Sequence, residues 1–499
     1  MAGMTRQAEQ PMWEQLFRLD PRSNISLQKQ LRGALVQAIL EGHISQDDPL
    51  PSSRALAAHL KISRNTVVLS YQHLVDDGYL IPRKRSGFFV NPDILKGRIG
   101  AHRHKPPEDH ADWQNRLIIT PSRQRNITKP NDWRRYQFPF IYGQPDPGLF
   151  PTAAWRECCR QAQSVSEVHL TSLDLHGVDD PTLIEQIQNR ILPRRGVWAE
   201  PDQILVTLGA QHALYLIAEL LSGPGRTVGM ENPGYPDARN IFRLTGSTVK
   251  PLDVDQKGLI TDKRLDDCDL LYATPSHHAP STVTLPKERR LGLLNRAKKS
   301  DFVIIEDDYE SETNFVGDPT PALKSLDRNG RVIYIGSLSK TLSPGLRLGF
   351  MVGPAPLIRE ARALRRLMLR HPPANNQRLV ALFLSLGHHN AHILRMNTEL
   401  KRRWQAMKEA LATHLPNCSQ PPTFGGTSYW VGRSGLDADQ LAETAGRAGI
   451  LIEPGDVYFM QPNPPKHFFR LGYASIPADK IKPGIERLAH LIEQQLAKE

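Results

Sequence analysis

Two short apolar runs, each followed at once by polar and charged residues, constrain most strongly what this chain can fold into. They occupy residues 303–309 and 331–336, and the second continues into Ser337-Leu338-Ser339-Lys340-Thr341. Short runs that are rich in β-branched residues and end in Gly or polar residues predict buried strands. Because ligands bind beyond the carboxyl ends of the strands in open α/β sheets, we expect both polar clusters at one ligand-binding edge.

The residue types in these clusters suit one cofactor. Lys340 carries a primary amine that forms an imine with an aldehyde, and the neighbouring hydroxyls with Arg347 suit a phosphate. Asp307 and Tyr309 offer the carboxylate and the phenol that a pyridinium nitrogen and a ring hydroxyl oxygen need as partners. Either cluster alone is weak, since a lone Ser-x-Ser-Lys is more often a surface loop. Together, in this order, they predict a pyridoxal 5′-phosphate site.

Length, charge and cysteine content set the broad class. The chain has 499 residues, so at least two domains are expected, and its net charge of +11 suggests a polyanionic partner. Its four cysteines show neither disulfide-framework nor metal-ligand spacing, which indicates a reducing compartment. No apolar run is long enough to span a bilayer, so we expect a cytoplasmic protein without a membrane partner.

Residues 12–91 show the pattern of a DNA-binding domain. Apolar residues at helical spacing follow Ser26, and Ser52 and Ser63 are suited to cap two further helices across a tight turn. This predicts a helix-turn-helix whose second helix begins with polar residues, including Asn65, that would enter the major groove. Two short apolar runs then flank the basic residues 83–85, which predicts a two-stranded wing that contacts phosphates.

This stretch resembles the winged-helix domain of GntR-type bacterial repressors. The matching residues are Leu50-Pro51-Ser52-Ser53-Arg54, Ser63-Arg64-Asn65-Thr66-Val67, Tyr71, Leu74, Gly78-Tyr79-Leu80 and Gly87-Phe88-Phe89-Val90. The resemblance implies a double-stranded DNA operator as partner, contacted by Arg54, Arg64 and Thr66, with Gly87 at the wing tip. A solvated helix face is the alternative for Arg54, and it stays open.

Residues 92–139 lose all periodicity and contain many Pro, Gly and basic residues, which predicts an interdomain linker.

The large domain is expected over residues 140–499. Within it, Gly209 follows an apolar run and opens a predicted helix, whose first amides suit a phosphate. Tyr235 in a Pro/Gly loop suits stacking on a flat ring, with packing as the alternative. Arg470 on an apolar strand needs an anionic partner, which is either a ligand carboxylate or an internal salt bridge.

From about residue 140 to the C-terminus the chain resembles fold-type I aminotransferases, and as a whole it resembles the MocR (GabR-like) subfamily of GntR regulators. The implied fold is α/β, a mixed and mostly parallel sheet with helices on both faces and a smaller C-terminal α/β subdomain. The resemblance places the Schiff-base lysine at Lys340 and the effector-carboxylate arginine at Arg470. The other implied cofactor contacts are Ala210, Gln211, Tyr235, Asp307, Tyr309, Ser337, Ser339 and Arg347.

One loop departs from the subfamily pattern. Thr274-Pro275-Ser276-His277 fits, but His278-Ala279-Pro280 stands where Gln-Phe-Pro is usual. Since the resemblance places this loop beside the cofactor ring, Ala279 is expected to reshape the effector pocket, and His277 is expected to hydrogen-bond near the cofactor. No metal is expected, because the two His lack further ligands at a metal-site spacing.

These residues are consistent with two functions. In the first, a transcriptional regulator senses a small amino acid or amine, which displaces Lys340 by forming an external aldimine. In the second, a working aminotransferase carries an appended DNA-binding domain. Both need the same site, so turnover stays open, while the fused winged helix favours the regulator. The resemblance also implies a homodimer with a head-to-tail arrangement.

Overall fold

Two compact units make up the chain, Met1–Gln114 and Asn115–Glu499. The structure, a computed structural model, describes residues 17, 19–94, 96, 111–174, 177–317, 320–416, 418 and 425–497. The predicted start of the DNA-binding domain at residue 12 and most of residues 95–110 in the predicted linker lie outside that set. The second unit begins inside the predicted linker, and the predicted boundaries at 91 and 139 stay predictions.

The first unit contains the predicted winged helix-turn-helix. Its elements are α1 (Leu27–Leu40), α2 (Ser53–Leu60), α3 (Arg64–Asp76), β1 (Leu80–Arg83) and β2 (Gly87–Val90). The hydroxyls of Ser26, Ser52 and Ser63 accept hydrogen bonds from the first-turn amides of the three helices, as the sequence predicted. β1 and β2 pair as an antiparallel hairpin that forms the wing.

A single apolar core holds the first unit together. Leu31, Leu35 and Ile39 of α1 pack with Leu56 of α2 and Leu74 of α3, and all five are buried. The helical spacing of these residues turns one stripe of each helix inward. The opposite face of α3 is left at the surface.

The second unit is built on an eight-stranded sheet. Its strands are β4 (Ile204–Thr207), β5 (Thr227–Asn232), β6 (Thr248–Asp255), β7 (Gly258–Leu259), β8 (Leu270–Ala273), β9 (Val303–Asp308), β10 (Val332–Ser337) and β11 (Gly349–Val352), the short β3 (Phe138–Pro139) lying elsewhere. The spatial order is β4-β11-β10-β9-β8-β5-β6-β7. Neighbours from β10 to β6 run parallel, whereas β11 is antiparallel to β10 and β4, and β7 is antiparallel to β6. The predicted mixed, mostly parallel sheet is confirmed.

Helices cover both faces of this sheet. The short α4 (Trp113–Arg116) is exposed and lies apart from this set. The following helices, in chain order, are α5 (Thr152–Ala162), α6 (Val165–Thr171), α7 (Pro181–Gln186), α8 (Ala210–Leu221), α9 (Pro236–Leu244), α10 (Lys287–Ser300), α11 (Leu323–Leu326), α12 (Ala355–Leu369), α13 (Ala374–Ser385) and α14 (His388–His414). Ile305 faces the core shared with α8, α9 and α12, while Ile304 faces the core shared with α10. This alternation follows from the period of two in a strand.

A smaller α/β layer forms the C-terminal part of the unit, as predicted. It contains β12 (Ser428–Gly432), β13 (Ile450–Leu451), β14 (Glu453–Pro454), β15 (Phe468–Gly472), α15 (Ala438–Arg447) and α16 (Ala478–Leu496). β15 lies between β12 and β14, and β13 pairs with β3 from before the sheet. Residues of α14, α15 and α16 share its core with Phe138 and Phe140.

No helix within the described ranges combines the length and the apolar character needed to cross a bilayer.

Close backbone packing at Gly349 generates a stability prediction. A Cβ at Gly349 would lie 2.9 Å from backbone atoms of Gly209 and from the carbonyl oxygen of Gly336. We expect Gly349→Ala to lower the free energy of unfolding by about 1–3 kcal/mol, because backbone must shift to admit the methyl group. Urea unfolding followed by circular dichroism measures this. Gly345→Ala is the matched control, since its Cβ would meet only Ser343 at 3.9 Å.

Candidate functional site

A cavity of about 230 Å³ lies beyond the carboxyl ends of β4, β9 and β10. Ten of the residues that the sequence predicted for the cofactor and the effector line it. They are Ala210, Gln211, Tyr235, Asp307, Tyr309, Ser337, Ser339, Lys340, Arg347 and Arg470. These residues come from six separate stretches of the chain, so the fold gathers them as the sheet-edge argument required.

Lys340 follows β10 at the centre of the cavity. Its Nζ donates a hydrogen bond to the Tyr142 hydroxyl over 3.1 Å and lies 4.2 Å from the centroid of the same ring. Burial lowers the pKa of the Lys340 amine to about 8. A substantial uncharged fraction near neutral pH suits the amine for attack on an aldehyde.

A second cavity of about 440 Å³ also reaches Lys340 and shares Gly143 and Pro344 with the first. Lys340 therefore contributes to the walls of two cavities.

Strand β9 sorts three consecutive carboxylates onto two faces. Glu306 accepts hydrogen bonds from the amides of Leu323 and Lys324, both at 2.7 Å, and Asp308 forms a buried ion pair with Arg195 at 2.7 Å. Asp307 points the other way, into the cavity, because side chains alternate along a strand.

Asp307 is the carboxylate available to a ligand. Its Oδ2 accepts a hydrogen bond from the Tyr272 hydroxyl at 2.8 Å, while Oδ1 is buried and has no hydrogen-bond partner within the described part of the chain. Burial raises the pKa of Asp307 to about 6. An unpaired buried carboxylate oxygen is costly, and a cationic ring nitrogen is the type of partner that would compensate it.

A cationic and amide-rich end of the cavity suits a phosphate. Gly209 precedes α8 with a φ of +83°. A Cβ at Gly209 would lie 3.3 Å from the Arg347 guanidinium, so a side chain there would displace Arg347. The helix N-terminus and Arg347 both attract anions. Ser339 also holds the turn, since its hydroxyl exchanges hydrogen bonds with the backbone of Leu348 at 2.9 and 3.1 Å.

Arg470 also lines the cavity and is only 2% exposed. It donates to the Ser428 hydroxyl at 2.8 Å and to the Tyr458 hydroxyl at 3.3 Å, while its Nη2 has no partner among the described residues. The guanidinium carbon lies 3.4 Å from the centroid of the Tyr142 ring. A buried guanidinium with a spare donor suits an anionic group.

The two predicted aromatic contacts also reach the cavity. Tyr235 donates its hydroxyl hydrogen to Asp237 at 3.0 Å, and Gln211 donates to the same carboxylate at 3.3 Å. The Tyr309 hydroxyl is buried without a partner in the described ranges. Tyr309 is therefore free to hydrogen-bond to a ligand oxygen.

The unusual loop splits into three environments. Ala279 lines the cavity. His278 Nε2 donates a hydrogen bond to the Pro233 carbonyl at 3.0 Å, and its Nδ1 is hydrogen-bonded with the Ser281 hydroxyl at 2.6 Å. His277 does not line this cavity, and neither of its ring nitrogens has a partner in the part of the chain that is described. Burial lowers the pKa of His277, so the ring is neutral, and its predicted cofactor hydrogen bond stays a prediction.

No group of three or more His, Cys, Asp or Glu residues is arranged to hold a metal ion, as far as the described residues go.

In the first unit, the predicted DNA contacts lie at the surface. Arg54 on α2, Arg64 and Asn65 at the start of α3, and Gly87 in the wing are exposed, and Thr66 is half-buried. Arg64 Nε donates to the Ser53 hydroxyl at 3.4 Å, which places the α2 and α3 residues side by side. An exposed, basic helix start is suited to the major groove.

Sequence reasoning missed three residues that shape the cavity. Tyr142 contacts both Lys340 and Arg470, Tyr272 holds Asp307, and Ile127 lines the cavity from within the predicted linker. Tyr272 carried a signal, since a phenol inside a buried strand needs a partner. Tyr142 and Ile127 carried none, because their partners are far away in sequence.

The two parts of the chain match different protein families. Residues 27–90 match the family described as bacterial regulatory proteins of the gntR family, and residues 149–488 match aminotransferase class I and II.

Full-length relatives have the same order of parts. The chain is 44% identical to the HTH-type transcriptional regulator TauR of Rhodobacter capsulatus, over 95% of this chain and 98% of that one. It is 31% identical to the probable rhizopine catabolism regulatory protein MocR of Rhizobium meliloti, over 94% of each. In structure it resembles LysN, the α-aminoadipate aminotransferase of Thermus thermophilus, solved with N-(5′-phosphopyridoxyl)-L-leucine. That likeness has a TM-score of 0.70 at 27% identity and covers 78% of this chain and all of that one.

Burial of Asp307 generates a prediction for the cofactor-free protein. Its raised pKa means that ionisation destabilises the fold, so the cost appears as pH rises from about 4, the unfolded pKa, to about 6. We expect Asp307→Asn to be more stable than wild type above that window by about 3 kcal/mol or less, and to lose this advantage below it. Urea unfolding across the pH range measures the difference. A pH-independent difference would contradict the assignment.

Proposed function

Because this chain belongs to the MocR-type group of the GntR family, transcriptional regulators in which a winged helix precedes an aminotransferase-like domain, we propose that it binds pyridoxal 5′-phosphate at Lys340. We further propose that an amine-bearing effector competes with Lys340 for the cofactor and thereby changes how the protein engages its operator. One observation carries the proposal. Lys340, Asp307 and Arg347 converge on one cavity from separate segments.

The buried polar atoms of the cavity support the fit of this cofactor. Asp307 Oδ1 and the Tyr309 hydroxyl are buried without partners in the described structure. The carboxylate oxygen would accept a hydrogen bond from a pyridinium nitrogen, and the phenol would donate one to a ring oxygen. Gly209 leaves the start of α8 open beside Arg347, which suits the phosphate. When bound, pyridoxal phosphate supplies an aldehyde that condenses reversibly with primary amines.

Each residue has a stated task in this proposal. Lys340 supplies the amine that holds the cofactor, and its low pKa keeps part of that amine unprotonated near neutral pH. Asp307 would pair with the protonated ring nitrogen, and Tyr235 would contact the ring. Arg347, Ser337 and the amides at Ala210 and Gln211 bind the phosphate.

The effector is an amine with an anionic group, in our proposal. Arg470 lines the cavity and has a buried donor without a partner among the described residues, which supports binding of a carboxylate or a sulfonate. Tyr142 lies over Arg470 and within hydrogen-bond distance of Lys340, so the same ring is placed to respond to both groups of the effector. Ala279 belongs to the wall of this cavity.

The assembly and the setting are proposals as well. A homodimer suits a winged-helix regulator, because paired half-sites on DNA match a two-fold protein. A head-to-tail arrangement is the form that we propose for it. A regulator that binds chromosomal DNA would act in the cytoplasm.

An absorbance titration of the cofactor-loaded protein with a panel of amino acids and amines tests the function. We expect a saturable spectral shift for the effector class, with no oxo acid formed, and altered operator affinity at the same concentrations. Sustained oxo acid production with an added acceptor would instead establish an aminotransferase with an appended DNA-binding domain. No shift with any amine, together with no cofactor bound, would overturn the proposal.

Lys340→Ala is the control for that titration. We expect it to lose the visible absorbance of the lysine-bound cofactor and the effector response, while its circular dichroism and operator affinity stay close to wild type. A borohydride-reducible adduct that persists in the variant would show that another amine holds the cofactor.

Arg64 provides the test of the DNA-binding face. On an operator obtained by selection from random duplexes, we expect Arg64→Ala to weaken binding by roughly 1–3 kcal/mol and to relax the preference at one base pair. Fluorescence anisotropy across single-base operator variants measures both. Arg359→Ala, which removes an exposed arginine of the second unit, is the charge-matched control. Unchanged affinity in Arg64→Ala would remove Arg64 from the contact surface.

A further inference from the structure

Residues 123–130, from the predicted linker, run along the second unit as a strap that reaches the cofactor cavity. Gln124 Nε2 donates to the Asn240 carbonyl at 3.4 Å, and Asn240 Nδ2 donates to the Arg125 carbonyl at 3.0 Å. Arg125 also pairs with Asp456. These contacts fix the first half of the strap to α9 and to the segment after β14. Four residues later the strap lies at the site.

The second half of the strap contributes side chains to the site itself. Ile127 lines the cavity that holds Lys340. Lys129 donates to the Tyr142 carbonyl, and its Nζ lies 3.1 Å from Glu453 Oε1. The other oxygen of Glu453 accepts a hydrogen bond from the Tyr142 amide at 3.2 Å. Lys129 and Glu453 therefore hold both polar groups of the Tyr142 backbone.

The Tyr142-Gly143 backbone lies between two lysines. A Cβ on Gly143, which has a φ of +74°, would be 3.2 Å from Lys340 Nζ and 3.5 Å from Lys129 Nζ. The two amines are therefore close neighbours across one residue. The side-chain hydroxyl of Tyr142 in turn accepts the hydrogen bond from Lys340.

We propose that Lys129 is a positioning residue of the amine-binding site, which holds Tyr142 against Lys340 and places a second positive charge beside the reactive amine. The part of this proposal that concerns effector binding near Lys129 rests on the proposed function. The charge interaction itself is a property of the polypeptide alone and can be tested without cofactor or effector.

The charges around Lys340 give the direction of the effect. Burial lowers the pKa of Lys340 most, Lys129 and Arg470 lower it further, and Glu310 and Asp307 raise it. The neutral phenols of Tyr142 and Tyr309 also face the amine. Because two neighbouring ammonium groups repel in a buried site, Lys129 favours the uncharged form of Lys340. Loss of the Lys129 charge must therefore raise the pKa of Lys340.

The test compares Lys129→Met with Lys129→Arg in the cofactor-free, full-length protein. The pH dependence of Lys340 acylation, followed by competitive labelling and mass spectrometry, reports its pKa directly. In Lys129→Met we expect the midpoint of the Lys340 acylation profile to rise by about 1 pH unit, which is the lower end of the range for the effect of a neighbouring charge. In Lys129→Arg we expect the midpoint to stay near that of the wild type. Lys96→Met, at a side chain that is 75% exposed, is the matched control. An unchanged profile in Lys129→Met would overturn the proposal.

A third variant separates charge from positioning and covers a failure of Lys129→Met to fold. Lys129→Gln keeps a donor for the Tyr142 carbonyl but is neutral, so we expect it to raise the Lys340 profile as Lys129→Met does. If the Lys340 labelling profiles of Lys129→Gln and Lys129→Arg both match that of the wild type, the Lys129 charge does not affect the pKa of Lys340, and the proposal fails.

Cofactor capture gives the second readout. At pH 7 we expect Lys129→Met to bind pyridoxal phosphate about tenfold more weakly than wild type, since a 1-unit rise in pKa lowers the uncharged fraction of Lys340 by that factor. If Lys129→Met binds pyridoxal phosphate as tightly as the wild type although its labelling profile has shifted, Lys129 has no role in amine binding. If wild type captures no cofactor, the proposed function fails, while the labelling profiles still decide the role of Lys129.

Discussion

Parallel pairing of β9 with β10 is the constraint on which the rest of the second unit depends. The register aligns Ile335 with Asp307 and Gly336 with Asp308, so both strands end at the same level. Asp307 then faces the cavity, and the turn after β10 brings Lys340 to the same space. A slip of one residue would exchange Asp307 with its neighbours and turn a paired carboxylate toward the ligand.

Buried charge is the price of this arrangement, and the neighbouring residues offset much of it. Asp308, on the other face of β9, is neutralised by Arg195 and hydrogen-bonded by Tyr334 at 2.8 Å. Asp307 is then the carboxylate of this strand whose charge a bound ligand can neutralise. Asp307 lines the cavity and pairs with no buried cation in the described residues, whereas Asp308 on the other face already has one.

Sequence patterns predicted the parts whose physics is local. Spacing and residue type within a few positions predict the serine caps of the first unit, the strand that contains Asp307, the strand that precedes Lys340 and the helix that opens after Gly209. Tyr142 and Lys129 could not be predicted, because their roles arise from contacts with Arg470, Lys340 and Glu453, which lie more than 190 positions along the chain. His277 is close to Ala279 in sequence but does not line the cavity, and its predicted hydrogen bond near the cofactor stays a prediction.

The cations that gather around one small space have a thermodynamic consequence for the whole unit. Lys340, Arg347 and Arg470 line it and Lys129 adjoins it, so their mutual repulsion is relieved by whichever anion binds there. Binding to the folded form alone draws the folding equilibrium toward that form. The resistance of this unit to heat is therefore not a fixed number but a function of the phosphate, sulfate or carboxylate content of its surroundings. The ligand site and the folding of the domain share one set of charges.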